Sequence, residues 1–304
     1  NIVSVCGNEN AFAALQIGGQ VITWGDKTDG GDHSSLDPPP TDIRAIYAAM
    51  YAFAAVNEDG KVITWGRAQR GGDSSHVRDD LASDVVSIVG NRGAFAALKI
   101  GGAVVVWGDP ECGGNSDLVK GELCSGVTTL SSTGSAFAAL KEKGSVICWG
   151  DPECGGVKQV FRDDAPATSK EADLSVGVLS ITGGDDVFLA IKDGGKVVAW
   201  GMAADGADLD EAGVAEDLQN GVSSVYAGSA AFAAIKEDGA LITWGSDEWG
   251  GDPNAEAGEV VVTDLLASGV VSVATAPPNK FLNSHHFAAV KADRSVVSWG
   301  EYGS

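Results

Sequence analysis

The sequence lacks any apolar run close to the roughly 20 residues that a membrane-spanning helix requires, so we expect no transmembrane segment. Positive charge is also scarce, because 20 basic side chains stand against 42 acidic ones and the formal net charge is −22. An acidic chain without a basic stretch predicts no nucleic-acid partner. Hydrophobic residues nevertheless make up 44% of the chain, which is ample for a packed core and excludes a charge-driven disordered chain.

Motifs of catalysis and of cofactor binding are missing as well. The chain contains no nucleophile elbow, phosphate loop, dinucleotide fingerprint or HExxH metal motif. The cysteines are odd in number and form no Cys-x-x-Cys pair, which argues against a disulfide framework and against a zinc site; they are Cys6, Cys112, Cys124, Cys148 and Cys154. We therefore predict a protein that is not an enzyme and that holds neither a metal nor a cofactor.

What the sequence does contain is an internal repeat. The dipeptide Trp-Gly occurs seven times, at spacings of 41, 42, 42, 51, 44 and 55 residues, and a Phe precedes each Trp by twelve residues. The seven pairs are Phe12 and Trp24, Phe53 and Trp65, Phe95 and Trp107, Phe137 and Trp149, Phe188 and Trp200, Phe232 and Trp244, and Phe287 and Trp299. Because the interval is constant while the connecting segments vary in length, the chain consists of seven copies of one supersecondary unit.

Each copy is predicted to form an antiparallel β-hairpin. In AFAALQIGGQVITWG (11–25) two apolar runs flank a glycine-bearing turn, and the equivalent cores are 52–66, 94–108, 136–150, 187–201, 231–245 and 286–300. A three-residue loop commonly ends in a left-handed residue, which suits glycine. Six copies have glycine at that position, and Arg294 is the exception. Counting outward from the loop places the Phe and the Trp of each copy directly opposite each other.

The hairpin strands lack a polar face, which predicts that both faces of each sheet are buried. A further apolar strand precedes the hairpin, as in IVSV (2–5) and VVSI (85–88), and the loop with paired glycines after each Trp-Gly is expected to lead into an outer edge strand. Short antiparallel sheets covered on both faces are typical of propeller blades. The sequence thus predicts an all-β, seven-bladed β-propeller of three- to four-stranded antiparallel blades, forming a single domain over residues 1–304.

The pattern Ala-Leu-Lys-x-Asp-Gly-x-Val-x-x-Trp-Gly, followed by a Gly-rich loop, resembles the repeats of the regulator of chromosome condensation family. It also resembles the propeller-type β-lactamase inhibitor protein. The resemblance covers residues 2–300 and implies a seven-bladed propeller. Family members act as exchange factors for a small GTPase, chromatin binders, ubiquitin-ligase modules, light sensors and inhibitors. Where the family repeat carries His-Ser or His-Thr, most copies here have Ala-Phe, and only the last keeps a histidine, His286.

Few aromatic residues fall outside the repeat phase, and they mark candidate binding sites. Phe161, Trp249 and Phe281 lie in connecting segments, and Arg162 follows the first of them. Aromatic and arginine side chains on loops are typical of binding hot spots. We expect these four residues to contact a partner; the alternative is that they only anchor their loops to the propeller.

The function predicted from these features is that of a non-catalytic protein-binding propeller. The chain would be a peripheral subunit or adaptor of a larger assembly and would bind a basic partner through its loops, because complementary charge favours fast association. One alternative is a propeller that binds a small ligand or a glycan, with Trp249 as a stacking platform. A regulator of a small GTPase is a further alternative, which the family resemblance alone implies.

Overall fold

The computed structural model describes residues 1–34, 36, 39–156, 173–252, 262–275 and 285–301. It contains seven antiparallel sheets, each of which joins the three strands of one copy in chain order. The sheets are β1 (Ile2–Gly7), β2 (Ala11–Gln16) and β3 (Val21–Gly25); β4 (Ile43–Ala49), β5 (Ala52–Asn57) and β6 (Val62–Gly66); β7 (Val85–Gly90), β8 (Ala94–Lys99) and β9 (Val104–Gly108); β10 (Val127–Ser132), β11 (Ala136–Lys141) and β12 (Val146–Gly150); β13 (Val178–Gly183), β14 (Val187–Lys192) and β15 (Val197–Gly201); β16 (Val222–Ala227), β17 (Ala231–Lys236) and β18 (Leu241–Gly245); and β19 (Val270–Thr275), β20 (His285–Lys291) and β21 (Val296–Glu301).

The sheets have the number, strand order and pairing of propeller blades, and the fold is the all-β propeller with seven blades that the repeats predict. Contacts divide the chain into two compact units. The first comprises residues 1–142, 146–152 and 156–165 and carries β1 to β12, and the second comprises 143–145, 153–155 and 166–304 and carries β13 to β21. That residues 1–304 form one domain stays a prediction. None of the described helices is long and apolar enough to span a membrane.

The hairpins have the register that the loop count predicts. In each copy the Phe pairs with the Trp across the second and third strands, and their rings stack with centroids 5.1 to 5.5 Å apart. The third loop position has a positive φ in all seven turns: 75° to 81° at the six glycines and 73° at Arg294. Glycine adopts this left-handed conformation without steric cost, whereas the Cβ of Arg294 strains the last turn.

A glycine in the segment between two consecutive copies packs against the Phe–Trp pair of the later copy. Trp107 Nε1 donates to the carbonyl oxygen of Gly71 at 3.0 Å, and a Cβ on Gly71 would stand 2.6 Å from the ring of Phe95. Only glycine fits such an approach. The same indole-to-glycine bond recurs at Trp65, Trp149, Trp244 and Trp299.

The first copy differs from the others. Phe12 and Trp24 stack on each other but remain 45% and 44% exposed, because no described residue of the first unit supplies a glycine above them. Burial on both faces, which the apolar strands predict for every copy, is therefore wrong for this one. The second strands of five copies, in contrast, have at least five consecutive buried residues.

The predicted outer edge strand is absent from the fully described connecting segments 67–84 and 109–126, so that expectation is wrong there. These segments instead form the 3₁₀ turns Ala68–Arg70, Ser75–Val77, Pro110–Cys112 and Asp117–Val119. The reason lies in the paired glycines. Gly113 has a left-handed φ of 84°, and Gly114 packs so closely on Gly108 that an added Cβ would be 2.4 Å from its carbonyl oxygen. The chain thus turns back over the end of β9 rather than running along its edge.

Other described helical elements are equally short. They are a π-helical turn at Lys27–Gly31, 3₁₀ turns at Asp193–Gly195, Ala203–Asp205 and Asp247–Trp249, and one α-helix, α1 (Val262–Leu266). The hydrophobic core of each unit is made of clusters in which one copy contributes alanines and valines and the next contributes its Phe and Trp. The third strand of each copy is consequently an edge of its sheet.

Candidate functional site

A groove of about 610 Å³ runs along the outer edge of β9 in the first unit. Its floor is the strand itself, from Val104 to Gly108. One wall comes from the segment before this copy, around Val77, and the other from the segment after it, around Leu123. The groove therefore occupies the place in which a fourth strand of this sheet would lie.

The floor of the groove offers unpaired backbone groups. Residues of an antiparallel strand alternately face the partner strand and the outer side. The Lys99 N–H donates to the Ala103 carbonyl at 2.8 Å, so Val104 and Val106 face outward. The Val104 N–H donates to the Leu123 carbonyl at 2.9 Å, but neither the N–H nor the C=O of Val106 has a hydrogen-bond partner among the described residues.

Both walls are fixed by hydrophobic packing. Val77 and Val105 pack against the buried cluster that contains Leu81. On the other side, Val106 shares a buried cluster with Leu123. Because each wall belongs to a different core cluster, the groove is held open by packing on both sides and its lower part is apolar.

A comparison with the first two copies shows a side-chain bond that is absent at this position, although a groove beside β18 exists with Thr243 at the equivalent position. In the second copy Thr64 occupies the place of Val106, and its hydroxyl donates to the Gly72 carbonyl at 3.1 Å and bonds Ser74 Oγ at 3.0 Å. In the first copy Thr23 bonds His33 in the same way, at 2.9 Å. Val106 has no hydroxyl, so this tie between the edge strand and the following segment is missing in the third copy.

Acidic side chains outnumber basic ones on the segments that form the rim, although the groove itself is lined by Lys99 and Lys120 as well as by Asp80, Asp84 and Asp117. The exposed charged residues of segments 73–84 and 109–124 are seven acids and two bases: Asp73, Asp79, Asp80, Asp84, Glu111, Asp117, Glu122, Arg78 and Lys120. The Ser75 N–H donates to Asp73 Oδ1 at 2.9 Å, and this bond lowers the pKa of the Asp73 carboxyl. The excess of carboxylates gives the mouth of the groove a negative potential at neutral pH.

The second unit contains a smaller groove of the same kind. It measures about 460 Å³ and follows the edge strand β18, with Leu241, Thr243 and Gly245 in its floor. The wall on one side includes Asp217, and the wall on the other includes Leu266 of α1. The edge of the third strand is thus a recurring place for a cavity in this fold.

Two ion pairs between residues that follow the third strands link consecutive copies of the first unit. Arg67 Nη2 lies 2.8 Å from the buried carboxylate of Asp29, and Arg70 Nη1 lies 2.7 Å from Asp109. Arg67 also stands 4.4 Å from the ring centre of Tyr51. These arginines serve packing between copies. The sequence signal for them was the exchange of an acid and an arginine between equivalent positions of adjacent copies.

The described part of the chain contains no cluster of side chains arranged to bind a metal ion and no disulfide bond. No group of three or more His, Cys, Asp or Glu side chains is placed there to hold a metal ion. All five cysteines are free thiols, and burial raises the pKa of Cys6 and of Cys112. Cys124, at the lower end of the β9 groove, is exposed and donates to the Gly121 carbonyl at 2.9 Å.

The structure bears differently on the four residues predicted to bind a partner. Phe161, Arg162 and Phe281 lie outside the described residues. Trp249 ends the turn Asp247–Trp249, is half-buried, and packs against the core cluster that contains Phe287. This packing favours the alternative in which Trp249 anchors its loop. The only sequence feature related to the β9 groove is a valine at a position where three of the other copies have threonine.

No protein-family model matches the chain, and neither does any curated protein. Solved structures match it in fold. Human WBSCR16 is 17% identical over 81% of this chain and 77% of that chain, with a TM-score of 0.50. Yeast RCC1 (Prp20), solved with Kap60 bound to it, is 16% identical over 98% of this chain and 70% of that chain, with a TM-score of 0.51. At identities of this size, the structural match bears on the fold alone. The chain has the seven-bladed propeller fold of the regulator of chromosome condensation, whose repeats its own repeats resemble.

Proposed function

We propose that the chain is a non-catalytic, protein-binding propeller that takes a basic partner at the acid-rimmed edge of β9. The observation that carries this proposal is the groove itself: a cleft of about 610 Å³ with an apolar lower part, whose floor is a strand edge that is unpaired at Val106. Backbone groups without a partner are a ready template for another chain. The role of a peripheral subunit or adaptor in a larger assembly follows from such a surface.

Charge supports the choice of a basic partner. The chain carries a formal charge of −22, and seven of the nine exposed charges on the rim segments are acidic. Complementary charge accelerates encounter and suppresses binding of acidic competitors. The effect weakens with salt, because the Debye length falls from about 10 Å at 0.1 M to about 3 Å at 1 M.

The fold comparison gives independent support for a protein partner. Yeast RCC1 (Prp20), which resembles this chain in fold, was solved with Kap60 bound to it, so a protein of similar fold has a protein partner. The glycan-binding alternative has less support, because Trp249 packs against the core instead of presenting an open stacking face. Nothing in the β9 groove resembles a nucleophile held by a general base, which favours binding over catalysis.

The test is the salt dependence of association with the partner recovered by cross-linking from the native source. We expect the association rate to fall steeply between about 50 and about 500 mM salt. A variant with Asp79→Asn, Asp80→Asn and Asp117→Asn should associate roughly three- to tenfold more slowly at low salt, because it removes charge from the rim.

A matched variant controls for total charge. Glu58→Gln, Glu142→Gln and Glu237→Gln remove three exposed carboxylates from the hairpin turns of other copies. This variant should keep most of the association rate. Failure to recover any partner, an association rate insensitive to salt, or equal loss in the two variants would contradict the proposal.

A further inference from the structure

We infer that the partner binds as an extended basic segment which adds to β9 as the fourth strand of this sheet. This inference rests on the proposed protein-binding function and specifies how the same groove is occupied. Strand addition is a recurring mode of peptide recognition, in which main-chain hydrogen bonds give affinity and pockets for alternate side chains give specificity.

The backbone of β9 sets the length and the contacts of the added strand. The strand has five residues, which span about 16 Å at roughly 3.3 Å per residue. Since Leu123 already accepts the Val104 N–H, the groups left for a partner begin at the Val104 carbonyl and include both polar groups of Val106. An added strand would thus gain about three backbone hydrogen bonds, each worth about 0.5–1.5 kcal/mol.

The walls set the side chains that fit. Successive side chains of the added strand would point to opposite walls. Near the floor, which includes Val105, those walls carry Val77 on one side and Leu123 on the other, which suits β-branched residues. Toward the ends the chain meets the carboxylates of Asp80, Asp84 and Asp117, which outnumber the lining lysines Lys99 and Lys120 and suit lysine or arginine. The occupant is therefore a short stretch of valine, isoleucine or threonine between basic residues, without proline.

Of the second and third copies, whose following segments are fully described, the third is the one that leaves its edge strand free for this. Addition requires that the following segment stand away from the edge strand. In the second copy Thr64 holds that segment by its bonds to Gly72 and Ser74. In the third copy Val106 makes no such bond, although Gly114 and Ser116 stand at the same repeat positions as Gly72 and Ser74.

The probe is a fluorescent peptide of about seven residues, Lys-Thr-Val-Lys-Val-Thr-Lys, measured by anisotropy against the full chain. Two N-methylated forms carry the methyl groups on alternate amides, so that only one form loses the N–H groups that face β9. We expect that form to bind at least about tenfold more weakly, which is a loss of about 1.4 kcal/mol, while the other stays within about threefold of the parent.

Two variants of the protein test the site. Val106→Thr should restore the bond to the following segment and weaken peptide binding about tenfold, and Val106→Pro should do the same by removing the N–H that points outward. The matched control is Thr64→Val, which opens the second copy and should leave binding at the third copy intact. Thermal melting of each variant shows whether it is folded, and the N-methylated peptides test the mode without any variant.

The outcomes separate this inference from the proposed function. Absence of peptide binding, equal binding of both N-methylated forms, or full binding to Val106→Thr would overturn strand addition. In any of these cases, salt-sensitive association of the natural partner would still uphold the proposed function. Weaker binding of one N-methylated form, together with slower exchange of the Val106 amide hydrogen in the peptide complex, supports strand addition.

Discussion

The turn of the third copy offers a sharp test of how adjacent copies are joined. Gly101 and Gly102 are neighbours and both have left-handed φ angles, of 85° and 79°. A Cβ on Gly101 would meet no atom within 4 Å, whereas a Cβ on Gly102 would stand 2.5 Å from the backbone nitrogens of Gly126 and Val127. The two positions therefore differ in the space around them and hardly in backbone conformation.

The expected cost of each alanine follows from these facts. A left-handed conformation costs an L-residue about 1–2 kcal/mol. Alanine also lowers the conformational entropy of the unfolded chain relative to glycine, which offsets about 0.4–1 kcal/mol of that cost. Gly101→Ala should thus lower the free energy of unfolding by about 0.5–1 kcal/mol. Gly102→Ala adds a clash with backbone that cannot rotate away, worth about 1–3 kcal/mol more.

Urea denaturation followed by tryptophan fluorescence measures both variants, with the slope m checked for constancy. Hydrogen exchange adds a local readout, because the Val127 N–H donates to the Gly102 carbonyl at 3.1 Å. Its protection should fall in Gly102→Ala and stay unchanged in Gly101→Ala. Equal losses of stability would refute the contact between this turn and the start of the next copy.

Two further predictions concern other parts of the chain. Arg294→Gly should stabilise the last hairpin by about 0.5–1 kcal/mol by relieving the strain at φ 73°, while Arg294→Ala should leave stability nearly unchanged; thermal melting that ranks the two equally would contradict this. Asp173 lies 2.7 Å from Lys196, and the Lys196 side chain, with Lys192, lowers the pKa of its carboxyl. The ion pair of Asp173 stabilises the fold above the ordinary pKa of a carboxyl group, and this contribution is lost as the pH falls through the lowered pKa of Asp173. The free energy of unfolding of Asp173→Asn should therefore decline less than that of the parent between about pH 5 and about pH 3.

The sequence predicted those features that backbone geometry repeats in every copy. A constant interval of twelve residues fixes the pairing of two strands, so the Phe–Trp register and the left-handed turn position follow from counting. Even the strained Arg294 was visible as the exception among six glycines. Such features depend on local chain geometry, which residue spacing encodes directly.

The connecting segments were harder to predict, because their course depends on contacts rather than on periodicity. The paired glycines indicated a loop, but only the packing of Gly114 on Gly108 shows that the chain turns away from the edge of β9. The β9 groove was hidden for a related reason. Val106 is an ordinary strand valine, and its importance comes from a bond that Thr64 makes in the neighbouring copy.

The indole-to-glycine bond has a direction along the chain. Five of the tryptophans take their acceptor from the segment that precedes their own copy, as Trp107 does from Gly71, whereas the buried indole N–H of Trp200 has no acceptor among the described residues. A protease cut between Arg67 and Asp84 would accordingly remove the glycine contact from the aromatic pair on the C-terminal side of the cut. The aromatic pairs on the N-terminal side would keep their contacts. Since neighbouring repeats supply much of each other's stability, such a nick should unravel the first unit from the cut toward the C-terminus, one hairpin after another.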